Sequence, residues 1–284
     1  MFPGADADRD SADYVVVGAP LDVSTTFQPG ARFGPERVRR FARTFDDYDR
    51  RTDSRFTALG VHDRGDVRAW DDAAEYLSFL EGVATDVVRD GAVPVLVGGE
   101  HTVTAAGARA ADPDVLVTVD AHLDLRDAYD GNPLSHACVV RRLLDGAPES
   151  VDGEGTPHDW TPMVEEVIVL GARTGSEEEW VRADSPDVTA VPPDEVADWE
   201  PAFDGRDAYL SVDVDGLDPG FAPGTGTMEP FGLATRTVGD VVRAVAPSAV
   251  GFDVVEVNDR DDGQAAALAG KLLRAFVYEH ANAK

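Results

Sequence analysis

Several things are scarce in this 284-residue sequence. Cysteine occurs once, as Cys138, so no disulfide can close within the chain. Lysine occurs only as Lys271 and Lys284. No apolar run approaches the ~18 residues that a membrane-spanning helix needs. The opening Met1-Phe-Pro-Gly-Ala-Asp-Ala-Asp is acidic and lacks the apolar core of a secretory signal. These absences argue against a disulfide-stapled or membrane-spanning protein, and we expect a cytoplasmic one.

Acid is abundant instead. Asp and Glu number 54 against 25 Lys and Arg, a formal net charge of −29. With no basic footprint, binding to nucleic acid is not expected. An acidic protein attracts cationic ligands. The acid is spread along the chain rather than gathered in blocks, however, which reads as a halophilic surface adapted to a salt-rich cytoplasm where repulsion is screened within ~3 Å at molar salt. Hydrophobic residues make up 43%, enough for one large core.

Residues 1–12 read as a disordered, frayed tail and 13–284 as one domain. Six apolar runs read as buried strands, beginning at Tyr14, Val93, Val115, Val167, Ala208 and Ala249. Helical patterns alternate with them: Glu36 to about Tyr48, Asp71 to Arg89, Thr102 to Ala111, His136 to Leu144, Gly175 to Ala183, Val238 to Val245 and Gly263 to Glu279. Residues 145–162 are acidic and aperiodic, and read as an exposed loop within the domain. Continuous apolar strands between helices imply a mostly parallel sheet covered on both faces, a single three-layer α/β/α domain. A closed barrel alternates in the same way, but six strands lean toward the open sheet.

The chemistry collects at strand ends. Val115-Leu-Val-Thr-Val-Asp120-Ala-His122-Leu-Asp124 begins as a strand and ends in three metal-competent side chains at i, i+2 and i+4, which share a face in extended chain. Such a run alone is also what a capped loop looks like. Yet His101 follows the Val93 strand, Asp213 and Asp215 close the Ala208 strand, and Glu256 closes the Ala249 strand. In a parallel sheet these ends lie along one edge, where such folds place ligands. Two imidazoles and four carboxylates are too many for one ion and suit two, ~3.5–4 Å apart. Oxygen-rich ligation with some histidine favours Mn²⁺. Two divalent ions, four aspartates and a bridging hydroxide sum to about −1, a centre that prefers a cation to a phosphate.

The motifs Gly98-Gly-Glu-His101, Asp120-Ala-His-Leu-Asp124, Ser211-Val-Asp-Val-Asp-Gly-Leu-Asp-Pro219 and Asp253-Val-Val-Glu256 resemble the ureohydrolase family of arginases and agmatinases. Gly18-Ala-Pro-Leu-Asp22 with Pro29-Gly-Ala-Arg-Phe-Gly-Pro35 resembles the family's opening segment, so the likeness spans nearly the whole chain. It implies an arginase-like fold and a hydrolase with two Mn²⁺ per chain that releases urea from a small cationic guanidino substrate, without nucleic-acid or membrane partners. It implies metal ligands His101, Asp120, His122, Asp124, Asp213 and Asp215, catalytic roles for Asp124, His136 and Glu256, with Glu256 holding the guanidinium, and a homo-oligomer, trimer or hexamer. Ala137 after His136, Glu100 before His101 and Phe231 after Glu229-Pro230 depart from the family's usual residues. The opening segment and the Gly224-Thr-Gly-Thr-Met-Glu-Pro230 run are most like agmatinases, which convert agmatine to putrescine in polyamine biosynthesis. Asp127 offers acid to a terminal amine, while Asn132 and Arg126 suit a carboxylate, so aminopropyl-agmatine, arginine, guanidinobutyrate and formiminoglutamate stay open. A non-catalytic regulator on the same scaffold is the reading from another class. It usually shows as a broken ligand set, and here the set is intact.

Overall fold

A strand buried on both faces must satisfy two cores with alternate side chains, and this chain does so. Val15 and Val17 face one apolar cluster while Tyr14 and Val16 face the other, and Leu96 and Leu116 likewise oppose Val95 and Val117. In a computed structural model, residues 1–68, 70–147 and 160–284 are described. The strands are β1 (Tyr14–Ala19), β2 (Tyr48–Asp49), β3 (Ser54–Arg55), β4 (Val61–Asp66), β5 (Val93–Gly98), β6 (Val115–Val119), β7 (Glu166–Leu170), β8 (Val188–Val191), β9 (Ala208–Asp213) and β10 (Ala249–Val255). The α-helices are α1 (Gly34–Phe41), α2 (Ala73–Arg89), α3 (Val103–Ala111), α4 (Val139–Asp145), α5 (Glu177–Ala183), α6 (Thr235–Val245) and α7 (Gln264–Ala283).

Eight strands form one sheet in the order β4-β1-β5-β10-β9-β6-β7-β8, every neighbouring pair parallel. The sheet is open, with β4 and β8 at its edges, so the barrel alternative is excluded. Helices α2, α3 and α4 cover one face, and α1, α6 and α7 the other. This is the expected three-layer α/β/α architecture. The chain builds β6, β7 and β8 outward, then returns to insert β9 and β10 between β6 and β5. The four central strands therefore come from distant parts of the sequence, and their C-terminal ends meet in the middle of one edge.

Three expectations need correction. The first twelve residues are not a frayed tail. Phe2 and Ala5 are fully buried. The Phe2 ring packs 5.7 Å from Phe56, and Pro3 accepts a hydrogen bond from Arg274 Nη2 at 2.8 Å. One apolar anchor overrides an acidic composition. The sheet has eight strands rather than six, and both missed strands are edges. The first helix stops at Phe41, followed by a 3-10 turn and the β2–β3 hairpin. Aspartates take over backbone donors there: Asp47 accepts from Thr57 N at 3.0 Å and Asp49 from Thr52 N at 3.0 Å. The acidic loop expected over residues 145–162 falls mostly outside the described residues.

Candidate metal centre

Each central strand delivers its polar residues just past its last hydrogen-bonded position. His101 lies three residues beyond β5, Asp120 directly after β6, Asp213 is the last residue of β9, and Glu256 directly follows β10. Register does the gathering: Val119 pairs with Val212, and Val255 with Asp213. Past β6 the chain does not stay extended. Asp124 has φ +50, in the left-handed region that aspartate tolerates better than most residues. His122 and Asp124 thus serve two groups that share Asp120, one of His101, Asp120 and Asp124, the other of Asp120, His122 and Asp215.

Distances show what these groups suit. His101 Nδ1 stands 2.9 Å from Asp124 Oδ2, 3.1 Å from Asp120 Oδ2 and 3.6 Å from Asp213 Oδ2. One ring nitrogen can donate a proton to only one of them. Asp120 Oδ2, fully buried, makes no hydrogen bond despite that approach. His122 Nδ1 lies 3.0 Å from Asp215 Oδ2 and 3.5 Å from Asp120 Oδ1. Lone pairs converging on shared points, with an orphaned carboxylate oxygen between them, fit divalent cations better than a hydrogen-bond network. The donor set is oxygen and imidazole without thiolate, which suits Mn²⁺.

Electrostatics point the same way. Burial, with Asp215 and Asp120 beside it, pushes the Asp213 carboxyl well above its usual range. Burial and Asp120 lift Asp124 to about 6. Burial opposes charge on Asp120 too, but His101 and His122 outweigh it and hold that carboxyl down. Both histidines are driven up against their own burial by the same aspartates. Concentrated, dehydrated negative charge calls for compensating cations.

A second layer aims these side chains. Ser211 Oγ lies 3.3 Å from His101 Nε2 and donates to Asp253 Oδ1 at 2.6 Å. With Nε2 donating to Ser211, Nδ1 presents its lone pair to the cluster. Glu256 Oε1 accepts from His101 N at 2.9 Å and lies 2.8 Å from His136 Nδ1. His136 Nε2 accepts from Thr26 N at 3.0 Å, so the ring's proton sits on Nδ1 and is donated to Glu256. Burial disfavours a charged His136 and the Glu256 carboxylate favours it, with a net rise, but the Thr26 N–H contact requires the neutral Nδ1–H form. Glu100, fully buried, holds the Thr26 loop through Ser24 N at 2.8 Å and Ser24 Oγ at 2.7 Å.

All six expected ligands, with Glu256 and His136, therefore meet in one place. Two other candidate residues do not join them. Asp127 pairs with Arg142 at 2.8 Å, and Asn132 Oδ1 accepts from Leu134 N at 2.9 Å. Arg126 is likewise engaged, 3.2 Å from Glu179. These loop residues bind the loop to the fold. Sequence reasoning missed Thr26 and Ser24. Ser211 and Asp253 stood inside the motifs Ser-Val-Asp-Val-Asp and Asp-Val-Val-Glu but were given no role.

Comparison with known proteins places the chain in a family. The model of a family described as the arginase family matches residues 12–278. An agmatinase of Bacillus anthracis is 31% identical, over 94% of this chain and 92% of its own length. An N(1)-aminopropylagmatine ureohydrolase of Thermococcus kodakarensis is 31% identical, over 96% and 91%. The crystal structure of an agmatine ureohydrolase of Thermoplasma volcanium superposes with a TM-score of 0.83 at 34% identity, covering 99% of this chain and 94% of that one.

Proposed function

The chain belongs to the arginase family, and from that premise we propose that it holds two Mn²⁺ ions and hydrolyses agmatine to urea and putrescine. The observation that carries this reading is the convergence of two imidazoles and four aspartates, with Asp120 common to both groups, Asp213 beside His101 and Glu256 alongside. When bound, the metal pair would offset the carboxylate charge and acidify water.

The chain's own groups then have distinct tasks. Glu256 Oε1 already accepts two hydrogen bonds, while Oε2 has no protein partner among the described residues. That oxygen is open to a guanidinium N–H, a charge-assisted contact. His136, fixed between Thr26 and Glu256, orients the carboxylate and stands ready to move a proton at Nδ1. Asp124, buried beside His101, would accept a proton from water and return it to the leaving nitrogen. The balance is complete. Water oxygen bonds to the guanidinium carbon, the bond to the alkylamine nitrogen breaks, both water protons end on that amine, and urea leaves neutral.

Agmatine is favoured by the relatives and by a centre that prefers cations. Asp127 and Asn132 remain part of the proposal only as second contacts to the chain of the substrate, since each already has an internal partner. The reading carries with it a cytoplasmic homo-oligomer. Urea release should be compared for agmatine, N(1)-aminopropylagmatine, arginine and guanidinobutyrate, with formamide release for formiminoglutamate, all with Mn²⁺ at high salt. Agmatine should exceed arginine by at least about 100-fold in kcat/KM, because Asn132 and Arg126, the groups suited to an α-carboxylate, are already engaged within the fold. Preference for arginine would keep the chemistry and overturn the substrate.

A further inference from the structure

Arg173, just past β7, shares with Arg274, which donates to Asp46 O and Pro3 O, a fork bound to main-chain carbonyls rather than to a carboxylate. Arg32, Arg39, Arg142 and Arg182 each pair with an aspartate. Among the described residues Arg173 pairs with no carboxylate. Its guanidinium is turned instead onto main-chain carbonyls. Nη2 reaches Asp215 O at 2.8 Å, Glu229 O at 2.7 Å and Leu217 O at 3.3 Å. Nη1 reaches Gly171 O at 3.0 Å and Gly216 O at 3.1 Å, and Nε donates to Pro230 O at 3.1 Å. The rigid five-donor fork of arginine can hold so many acceptors, whereas the compact ammonium of lysine cannot.

Apart from Gly171 O on its own segment, the carbonyls it collects are those of the turn that carries Asp215 and of the lip that returns after it. The lip packs so closely that a Cβ on Gly232 would stand 2.6 Å from Nη2. The same lip supplies Thr227, whose Oγ1 donates to Asp215 Oδ2 at 2.8 Å. Arg173 also works through its own backbone. Its N–H donates to Ala121 O at 2.9 Å, between Asp120 and His122, and Thr174 forms a bridge with His122. Both sides of the Asp120, His122 and Asp215 group are thus tied to one residue. The His101, Asp120 and Asp124 group has no comparable tie to Arg173. Its histidine is aimed by Ser211 and Asp253.

We propose that Arg173 is a positioning residue for the second metal position, the one formed by Asp120, His122 and Asp215, and that it sets the affinity there while leaving the first position unchanged. This rests on the two-metal reading above. The test is Mn²⁺ titration of the metal-stripped full chain, wild type against Arg173→Gln and Arg173→Lys. Bound Mn²⁺ is counted and the electron paramagnetic resonance signal recorded. Wild type should take two equivalents and show an exchange-coupled pair. Both variants should keep the first equivalent at wild-type affinity, bind the second at least ~10-fold more weakly, and show an isolated Mn²⁺ signal. Arg173→Lys keeps the charge, so its failure to hold the second ion assigns the effect to the hydrogen-bond geometry. It decides alone if Arg173→Gln does not fold. A variant that binds the second equivalent like wild type, or loses both equally, overturns the assignment. Wild type that takes only one ion defeats the two-metal reading itself.

Discussion

Glu256 and Asp124 are both held at positive φ, +61 and +50, where residues other than glycine are uncommon. Glutamate gains no local Asx-type hydrogen bond there, so the surrounding structure must impose the conformation. Glu256 N donates to Gly99 O at 2.8 Å, and its Oε1 is locked by His101 N and His136. The carboxylate is pre-oriented before any substrate arrives. Replacing Glu256 with Gln keeps the shape and removes the charge. A hydrogen bond to a charged group contributes about 1.5–3 kcal/mol, so kcat/KM for a guanidino substrate should fall roughly 10- to 150-fold, mainly through KM. Bound Mn²⁺ should not change, because Glu256 is not among the proposed ligands. Unchanged KM with intact metal would show that the guanidinium is held elsewhere.

At the level of elements, what could be read from the sequence depended on burial. Strands β1, β5, β6 and β9 are buried at every position and announced themselves as apolar runs. The edge strand β4, Val61-His-Asp-Arg-Gly-Asp66, is half solvated and polar, and β8 has only four residues. Neither bears the signature of a core strand. The candidate metal ligands were legible because coordination would demand particular side chains at strand ends. The engagement of Asp127 by Arg142 was not legible, because Arg142 lies 15 residues on, whereas Asn132 accepts from Leu134 N within its own turn. Arg173 was invisible because its partners are carbonyls, which no residue type encodes.

One contact between elements carries a pH prediction. Helix α7 presses His280 against β1, where His280 Nδ1 lies 2.8 Å from Tyr14 Oη, and Phe276 stacks on the ring at 5.5 Å. Burial, helped by Lys284, depresses the His280 pKa from 6.5 to about 4. As pH falls below 6.5 the unfolded chain takes up the proton first. The contribution of neutral His280 is therefore complete above pH 6.5 and lost progressively toward pH 4. His280→Gln lacks that titration. Its Tm deficit against wild type should be largest near neutrality and narrow by pH 4.5. A constant deficit would mean that His280 does not titrate on unfolding.

For the whole molecule, a net charge of −29 on 284 residues sets the conditions under which the fold survives. Self-repulsion of that charge opposes compactness, and salt screens it with a length of ~3 Å at 1 M against ~30 Å at 0.01 M. The chain should lose tertiary structure as salt is lowered from molar to tens of millimolar, and circular dichroism unchanged over that range would refute it. No helix among the described residues is long and apolar enough to cross a membrane. The buried cluster around Asp120 is the local form of the same excess of acid.

The most direct measurement is urea release from agmatine at high salt, followed as Mn²⁺ is added back to metal-stripped protein and counted per chain. If His101, Asp120, His122, Asp124, Asp213 and Asp215 hold a working pair, activity is absent without metal and saturates at two ions per chain. Urea release from the metal-free chain, or none at two bound ions from any of the guanidino substrates, would contradict the assignment.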